Sequence, residues 1–302
     1  MYRGVILKAV KAYSKDFFPP DAHPIRVIKI HGDTSPQHAG DLTGVRHFHD
    51  FAELVIIIEG YGVHWIDGTE YPVAAGDIFL LQGKTEHYFK ERHNLVLYNI
   101  MHDSFRLRQY LKNLQTDAGY NAMFLLEPSY RKRHKFRSRL HVDRKSLVHI
   151  ESVTQHMLAE QDTQNSGYDT LLLCMLLELI VFFSREYSKV KIPQVQALYR
   201  MGKVIGKLET AYLKNWNIAE LSKLAGMSKS SLMTAFKDAT GHTPVDYLIR
   251  IRLQKAAELL INTDLPISQI APDCGFCDSN YLTRQFRKVY AVNPRQFRRN
   301  NS

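Results

Sequence analysis

The chain has 302 residues, of which 45% are apolar and 11% aromatic, so it can fold into about two packed domains and is not a disordered chain. Its net charge of +10 is uneven, because sixteen Lys and Arg residues face eight Asp and Glu residues after position 191, against 24 and 22 before it. We therefore expect a polyanion such as nucleic acid to bind near the C-terminal end, although charge alone does not separate this partner from a merely basic domain.

Cysteine usage and hydropathy indicate the cytoplasm. The three cysteines, Cys174, Cys274 and Cys277, lack the spacing of a disulfide framework or a zinc site, and the last two are predicted to be small packing residues. The first ten residues lack the apolar core and cleavage site of a secretion signal. The most apolar run, residues 171–183, is shorter than the ~20 residues of a membrane helix and contains Glu178, which favours a buried helix. We predict a cytoplasmic protein with no membrane partner.

Residues 25–102 are predicted to form a β domain. Short apolar runs such as LVIIIEG and GVHWIDG alternate with Gly, Asp and Pro at the spacing of a small barrel or sandwich. Between two of these runs, Asp67 and Gly68 predict a tight hairpin turn.

Residues 105–190 are predicted to be mainly helical. The helix at about 168–187 is apolar on nearly all sides, so it must be covered on several faces. We expect the β domain and a second subunit to cover it, which predicts a homodimer through residues 145–190. The basic run RKRHKFRSR, residues 131–139, is expected to be a solvated loop, because an aromatic residue interrupts it and no recognition element follows.

Residues 195–302 contain an internal repeat. The stretches LSKLAGMSKSSLMTAFKDATGHTPVDYL and IAPDCGFCDSNYLTRQFRKVYAVNPRQF each hold a short helix, a Gly-containing turn and a second helix that begins at a Ser or Asp cap. This outline predicts two helix-turn-helix units, whose second helices enter major grooves. A helix at about 244–260 joins them, so the two units can contact groove segments about one helical turn, or ~34 Å, apart.

The second helix of each copy has an inward and an outward face. Leu232 and Phe236 are predicted to be core anchors in copy one, and Phe286 with Tyr281 or Leu282 in copy two. An outward Asn can bind adenine and an outward Arg can bind guanine, each through two hydrogen bonds. An ordinary bundle with solvated polar groups is the alternative, and two copies in tandem with basic flanks argue against it. The outward residues predicted to contact DNA include Ser230, Met233, Thr234, Lys237, Ser279, Asn280, Arg284 and Arg287.

Residues 218–299 resemble the AraC/XylS family of bacterial transcription regulators. The resemblance implies a dual helix-turn-helix domain on one linker helix. The sequence departs from the family pattern at three positions. Pro272 lies inside the predicted first helix of copy two, and Ala291 and Asn293 stand where the family usually has Gly and Thr or Ser. The base-contacting positions that the resemblance implies are Ser230, Met233, Thr234, Ser279, Asn280 and Arg284.

The stretch HFHDFAELVIIIEG places two histidines and an acid before an apolar run. It resembles the first motif of cupin barrels, and GDIFLLQGKTEH resembles the second. His47, His49 and Glu53 share odd parity, so their side chains leave one face if strand geometry persists. His87 on a neighbouring strand could complete a His₃Glu set, which suits zinc, manganese, iron or nickel.

Three interpretations of this cluster stay open. The first is a pocket for a small polyhydroxylated ligand, in which Trp65, Tyr61 or Tyr98 covers an apolar sugar face. The second is a site for a divalent transition metal. In the third, the histidines are structural and bond to one another and to Asp50. We favour the pocket, because barrel mouths favour ligand sites. The predicted effector-binding residues are His47, His49, Glu53, Trp65, His87 and Tyr98, and the predicted metal ligands are His47, His49, Glu53 and His87.

These features predict an α+β protein. Residues 1–190 form a cupin-like β-barrel with a helical dimerisation segment, and residues 195–302 form an all-α dual helix-turn-helix DNA-binding domain. The order of these parts is similar to that of arabinose- and rhamnose-type regulators, and HFHDFAELVII looks closest to the L-rhamnose operon activators. The predicted function is an effector-responsive activator of a carbohydrate-use operon, not an enzyme. Its partners would be double-stranded DNA, a sugar, RNA polymerase and a second copy of the chain.

Two other functions stay open. A cupin-type metalloenzyme, such as a sugar isomerase or dioxygenase, would account for the histidines but not for the C-terminal repeat. A constitutive DNA binder would leave the pocket idle.

Overall fold

The computed structural model describes residues 9–18, 22–32, 42–134 and 139–301, without the side chains of residues 132–134. The chain divides into two compact units: residues 1–114 and 130–195 form the first, and residues 115–129 and 196–302 form the second. The strands are β1 (Val10–Ala12), β2 (Ile25–His31), β3 (His47–His49), β4 (Ala52–Ile66), β5 (Thr69–Ala74), β6 (Asp77–Leu81), β7 (His87–His102) and β8 (Leu140–His141). The α-helices are α1 (Ser14–Phe17), α2 (Arg108–Leu111), α3 (Ala118–Tyr120), α4 (Glu127–His134), α5 (Arg144–Thr163), α6 (Tyr168–Lys189), α7 (Pro193–Thr210), α8 (Ile218–Ala225), α9 (Lys229–Thr240), α10 (Pro244–Asn262), α11 (Ile267–Asp273), α12 (Ser279–Tyr290) and α13 (Pro294–Asn301). A 3-10 helix (Lys112–Thr116) and a π-helix (Asn121–Leu126) lie between α2 and α4.

The strands of the first unit form one sheet built on two long strands. β4 and β7 pair antiparallel from the Ala52–His102 pair to the Ile66–His87 pair. β2 adds to one end of β7 and β3 to the other, while β6 and β5 add to the two ends of β4. Register shifts interrupt the β4–β7 ladder at three places: between Ile57 and Glu59, between Glu59 and Tyr61, and between Val63 and His64. Bulges bend and twist strands, and here side chains from β2, β4, β5 and β7 share one hydrophobic core.

The predicted β region and its hairpin are confirmed. β2 begins at Ile25 and β7 ends at His102, as the apolar runs indicated. Asp67 and Gly68 form the β4–β5 turn with φ of 44° and 86°, the positive values that a two-residue hairpin turn requires. The sheet domain followed by a helical domain is the α+β class that the sequence predicts.

Helices α5 and α6 cover the sheet of the first unit. Val27 of β2 donates its N–H to Oε1 of Gln161 on α5 over 2.7 Å, and Nε2 of Gln161 donates to the Val27 carbonyl over 3.0 Å, so one side chain satisfies part of a free strand edge. α6 buries nine residues within this unit, from Leu172 to Tyr187, against α5, β2 and β8. A stripe of α6 stays uncovered, since Leu171 is 37% exposed and Val181 and Phe182 are only half-buried, so the dimer through residues 145–190 stays a prediction.

Among the described residues, no helix is long and apolar enough to cross a bilayer.

The basic run of residues 131–139 is only partly described. Residues 131–134 belong to α4, and residues 135–138 lie outside the described part. The prediction of a solvated loop is wrong at the start of the run, because residues 131–134 are helical and Arg131 is buried and donates to the Leu80 carbonyl. At its other end Arg139 is irregular and half-buried, and it donates to the Pro72 carbonyl.

The second unit contains both predicted helix-turn-helix units. In the first, α8 ends at Gly226, whose φ of 60° is left-handed, and Ser228 caps α9 by accepting from the Ser231 N–H. In the second, Gly275 lies in the turn and Asp278 caps α12. α10 packs against α9, α11, α12 and α13, so one helix supports both copies.

One local feature departs from the sequence expectations, and two others concern residues that the sequence had already singled out. Residues 115–129 belong to the second unit, although the sequence placed its beginning at residue 195. Pro272 lies inside α11, which is only seven residues long. Ala291 ends α12 with φ of 62°, a left-handed conformation that disfavours a side chain.

Candidate ligand site and nucleic-acid interface

Four buried polar side chains meet in the core of the first unit. β3 supplies His47 and His49, β4 supplies Glu53, and β7 supplies His87, which pairs with His47 across the strands. Oε2 of Glu53 lies 3.0 Å from Nε2 of His49 and 3.1 Å from Nε2 of His87. The sequence thus placed His47, His49 and Glu53 on one face correctly, and the structure brings His87 to them.

The second nitrogen of each imidazole contacts backbone. Nδ1 lies within hydrogen-bond distance of a carbonyl two residues away in His47, His49 and His87, at 2.6, 2.7 and 3.0 Å. A carbonyl only accepts, so each Nδ1 carries the proton. In a neutral imidazole the Nε2 atom then has a free lone pair, as a metal-ligating histidine requires.

The charges in this cluster favour binding of a proton or a cation. Burial would raise the pKa of Glu53, but the contacts with His49 and His87 outweigh it and hold that pKa well below its usual value, so the carboxylate is ionised. Burial and the neighbouring His87 lower the pKa of His47 to about 4, so His47 is neutral at pH 7. A carboxylate beside imidazole lone pairs is repulsive unless protons or a cation lie between them.

The spacing of the ligand atoms suits a single ion, and a small cavity adjoins them. His47, Glu53 and His87 each offer one ligand atom, and these atoms lie within 4.8 Å of one another. His49 is outside that group of three and is placed to orient Glu53. The adjoining cavity has a volume of about 20 Å³, and its lining includes Thr43, His47, His49 and Glu53 but not His87. A cavity of that size holds about one water molecule or ion.

His64 is a further cluster residue that the sequence analysis missed. It is fully buried, and neither ring nitrogen has a hydrogen-bond partner among the described residues. Its ring stacks on Phe89 and meets His87 edge-on at 5.6 Å between centroids. Glu53 and His64 have opposite parity, and the extra residue of β4 between Ile57 and Glu59 brings both to the inner face. Gly60, with φ of 73°, is the local signal of this irregularity, but it does not show where the parity changes.

Two predicted pocket aromatics lie elsewhere. Trp65 follows the inward His64 and therefore points to the other face, where it contacts Tyr88 and the guanidinium of Arg46. Tyr98 is fully buried, but its neighbour Asn99 lines the cavity instead. Neither Trp65 nor Tyr98 lines the described cavity.

The remaining two residues of the pocket interpretations also lie apart. Tyr61 is 61% exposed and stacks on His93. Asp50 accepts from the Ser14 N–H at 2.7 Å and lies 3.8 Å from Lys11. These contacts differ from the expected bonds between Asp50 and the histidines.

Helix α9 presents the outward face expected for copy one. Leu232 and Phe236 are fully buried, as the sequence indicated. Among the residues proposed to contact bases, Ser230 and Thr234 are exposed and Met233 is half-buried. Their arrangement offers a hydroxyl and apolar surface, and Lys237 adds a charge one turn later.

Helix α12 presents a more strongly basic face. Leu282 and Phe286 are fully buried, which resolves the Tyr281 or Leu282 alternative in favour of Leu282. The guanidinium of Arg284 lies 5.2 Å from the Tyr281 ring, a cation–π contact that restrains an otherwise mobile side chain. The other proposed DNA contacts on this helix are Ser279, which is half-buried, and the exposed Asn280 and Arg287.

Not every basic residue of this unit belongs to the interface. Arg252 of α10 is buried and donates to the carbonyls of Tyr212 at 2.7 Å and Lys214 at 3.0 Å. Arg298 of α13 donates to the carbonyl of Leu265 at 2.6 Å. The charge count of the last third therefore overstates the charge available to a polyanion.

Comparison with known proteins identifies relatives of both halves. Residues 221–300 match the family described as a helix-turn-helix domain, and residues 34–170 match the AraC-like ligand binding domain. The HTH-type transcriptional activator RhaS of Enterobacter sp. (strain 638) is 29% identical over 287 residues, which cover 95% of this chain and 96% of that protein. The HTH-type transcriptional activator RhaR of Escherichia coli (strain K12) is 26% identical over 294 residues, or 97% of this chain and 98% of that protein. Among solved structures, the C-terminal domain of the two-component response regulator yesN from Fusobacterium nucleatum subsp. nucleatum is 33% identical and covers 32% of this chain and 93% of its own, with a TM-score of 0.30.

Proposed function

The chain belongs to the AraC family of transcription regulators, a family that is not enzymatic, and on this premise we propose that it activates a carbohydrate-use operon in response to a small molecule. Its helix-turn-helix domain binds DNA, and its AraC-like ligand-binding domain implies an effector. Both named relatives are called transcriptional activators. The motif HFHDFAELVII resembles that of the L-rhamnose operon activators, which supports a sugar as the effector class. Since its DNA partner is the chromosome, we infer that it acts in the cytoplasm.

The paired exposed faces of α9 and α12 carry this proposal. One helix, α10, packs against both, so two base-contacting helices have a fixed spacing. We propose that they contact adjacent major-groove segments about 34 Å apart on one face of the duplex. The residues assigned to this contact are Ser230, Met233, Thr234, Lys237, Ser279, Asn280, Arg284 and Arg287.

The effector is proposed to bind at the buried histidine cluster. His47, His49, Glu53 and His87 offer imidazole and carboxylate groups that can bond to sugar hydroxyls. Pockets for small molecules usually measure about 300–1,000 Å³. The cavity of about 20 Å³ is far smaller, so a sugar requires this part of the first unit to open.

A divalent transition metal at His47, Glu53 and His87 is a second candidate ligand. Three observations favour it: the ligand atoms lie within 4.8 Å of one another, each histidine has its Nδ1 engaged, and a cavity large enough for one ion adjoins His47 and Glu53. A bound ion would supply positive charge that neutralises Glu53 and holds β3, β4 and β7 together. Zinc, manganese, iron and nickel all accept such ligands.

A second copy of the chain and RNA polymerase are the remaining proposed partners. We propose a dimer through residues 145–190, because α6 is unusually apolar and one stripe of it is not covered within one chain. On that stripe Leu171 is 37% exposed and Phe182 is half-buried, and Val148 of α5 is 62% exposed. Sedimentation of the full chain would show a mass of twice 34.9 kDa if the proposal is correct.

The proposed function is tested by selecting bound sequences from a random duplex library with the full chain, followed by binding measurements with and without sugars. A specific regulator should bind the selected duplex about 10³-fold or more tighter than bulk competitor. In a thermal-shift screen of monosaccharides and their acids, the effector should raise the melting temperature of the protein, because it binds the folded state. No enrichment of any sequence in the library would refute the regulator. DNA affinity that no sugar changes would leave a constitutive binder.

A further inference from the structure

A segment from the first half of the sequence folds as part of the DNA-binding unit. Residues 115–129 comprise the end of the 3-10 helix, α3, the π-helix and the first turn of α4. The five side chains from Tyr120 to Phe124 are all buried. The chain enters this segment from Leu114 and leaves it at Tyr130, both of which belong to the first unit. The DNA-binding unit is therefore discontinuous in sequence.

Two glycines of α7 let this segment approach closely. Gly202 and Gly206 are four residues apart and so lie on one helix face. A Cβ atom at Gly202 would lie 2.3 Å from the carbonyl oxygen of Ala118, and one at Gly206 would lie 2.6 Å from that of Thr116. Real Cβ atoms do not approach backbone so closely, so any larger residue at either position must displace the segment.

Asn121 fastens the segment to α7. It is fully buried, and its Nδ2 atom donates to the Gln115 carbonyl at 2.8 Å and to the Gly202 carbonyl at 3.2 Å. A buried amide in this position ties two pieces of backbone that are distant in sequence. Its removal leaves carbonyl groups without their donor, and a buried polar group without a partner is destabilising.

The segment also supports α9, the first recognition helix. The π-helix packs directly against α9. Phe236 of α9 also meets the ring of Tyr247 of α10 edge-on at 5.5 Å. By contrast, α12 packs against α10, α11 and α13.

We propose that residues 115–129 position α9 for DNA binding, with Asn121 as the positioning residue, and that α12 does not depend on them. The assignment makes the two helix-turn-helix units unequal. The first unit is supported by residues 115–129, which come from the first half of the sequence, whereas α12 of the second unit packs against α10, α11 and α13. The assignment also gives the sensor half a covalent route to one recognition helix, because α4 continues from this segment to Arg131, which bonds to the Leu80 carbonyl of β6.

Gly206→Ala and Asn121→Ala in the full chain test the assignment, with Gln194→Ala on the exposed part of α7 as the matched control. The DNA probe is a duplex selected from a random library by the unmodified chain. Hydroxyl-radical footprinting resolves the two groove segments, and Arg284→Ala identifies the one that α12 contacts. We expect both test variants to lose protection over the α9 segment, to keep it over the α12 segment, and to bind about tenfold more weakly. Gln194→Ala should match the unmodified chain.

Amide hydrogen exchange without DNA provides a second measurement. Exchange should accelerate in α9 and stay unchanged in α12 for both test variants, because only α9 loses its support. An unchanged footprint, equal loss of both protected segments at an unchanged melting temperature, or unchanged exchange in α9 would each overturn the assignment. If Gly206→Ala does not fold, Asn121→Ala decides, since it introduces no clash. The exchange result does not need an operator, so its failure is distinguishable from failure of the regulator proposal.

Discussion

Oε2 of Glu53 lies 3.1 Å from Nε2 of His87, although 34 residues separate them in the chain. The same oxygen is 3.0 Å from His49, and all three side chains are buried. A buried carboxylate that two imidazoles face at this distance is stable only when positive charge lies between them. Whether that charge is protons or a metal ion determines what the sensor binds.

We predict that the full chain, purified without an affinity tag, holds about one divalent transition metal ion. Elemental analysis after dialysis measures the metal content. His87→Ala should lose the ion, because it removes one of three ligands. In the unmodified chain, the contact of Nδ1 with the Thr85 carbonyl orients this ring. The exposed His93→Ala is the control and should keep it. Metal-free protein after growth in metal-supplemented medium would exclude the metal site and favour protons in the cluster.

Stability should fall as the pH is lowered from about 6.5 to 4. His102 is buried, and desolvation lowers its pKa from 6.5 to about 4. In that window the unfolded chain binds a proton that the folded chain does not, so unfolding becomes easier as the pH falls, by up to about 3 kcal/mol. Above pH 6.5 both states are neutral and the effect is absent.

Urea unfolding of the full chain with a chelator at pH 7, 6, 5 and 4.5 measures this dependence. His102→Asn should show a shallower fall in the free energy of unfolding than the unmodified chain. His31→Asn, at an exposed position, should leave the slope unchanged. Equal slopes for His102→Asn and the unmodified chain would contradict the prediction.

Ala291→Gly should stabilise the protein by roughly 0.5–1 kcal/mol. Glycine has no Cβ and so relieves the strain of the left-handed conformation, and this gain is larger than the entropy that glycine adds to the unfolded chain. Ala291 ends α12 with φ of 62°. The structurally equivalent residue that ends α9 is Gly241, with φ of 78° and nothing within 4 Å of an added Cβ. Gly241→Ala should therefore shift the stability in the opposite direction. Chemical denaturation of both variants measures the pair, and the same sign for both would contradict the argument.

Arg252→Met should destabilise the second unit by about 2 kcal/mol or more, since the carbonyls of Tyr212 and Lys214 lose a charged donor in a buried site. The neighbouring Arg250 is exposed, so Arg250→Met should change the free energy of unfolding by less than about 0.5 kcal/mol. Similar effects of the two substitutions would show that burial of Arg252 is not what matters.

Arg284→Ala should weaken binding to the selected duplex by about 1–3 kcal/mol and relax the preference at one base pair. Lys288→Ala, one turn further along α12, should weaken binding to specific and random duplexes alike and reduce the salt slope by about 1. Binding titrations at several salt concentrations separate the two. Equal losses on specific and random DNA for Arg284→Ala would refute its role in contacting a base.

Much of the DNA-binding domain could be predicted because its signals are local. Ser228 and Asp278 cap helices within three residues, and Leu232 with Phe236 follows the helical period. The same holds for Asp67 and Gly68 in the hairpin and for the odd parity of His47 and His49 on one short strand. These features depend on neighbours a few residues apart, so the order of residues is enough to reveal them.

The tertiary structure decided what depends on distant partners. An extra residue of β4 between Ile57 and Glu59 brings His64 to the cluster and turns Trp65 away, and the position of that parity change depends on the pairing with β7. The burial of Arg252 depends on carbonyls about forty residues earlier. Residues 115–129 join the second unit because α7 offers two glycines to their backbone, a packing preference that exists only once both are folded. Short-range patterns therefore determined the helices, turns and recognition faces, while long-range packing determined which side chains share a site.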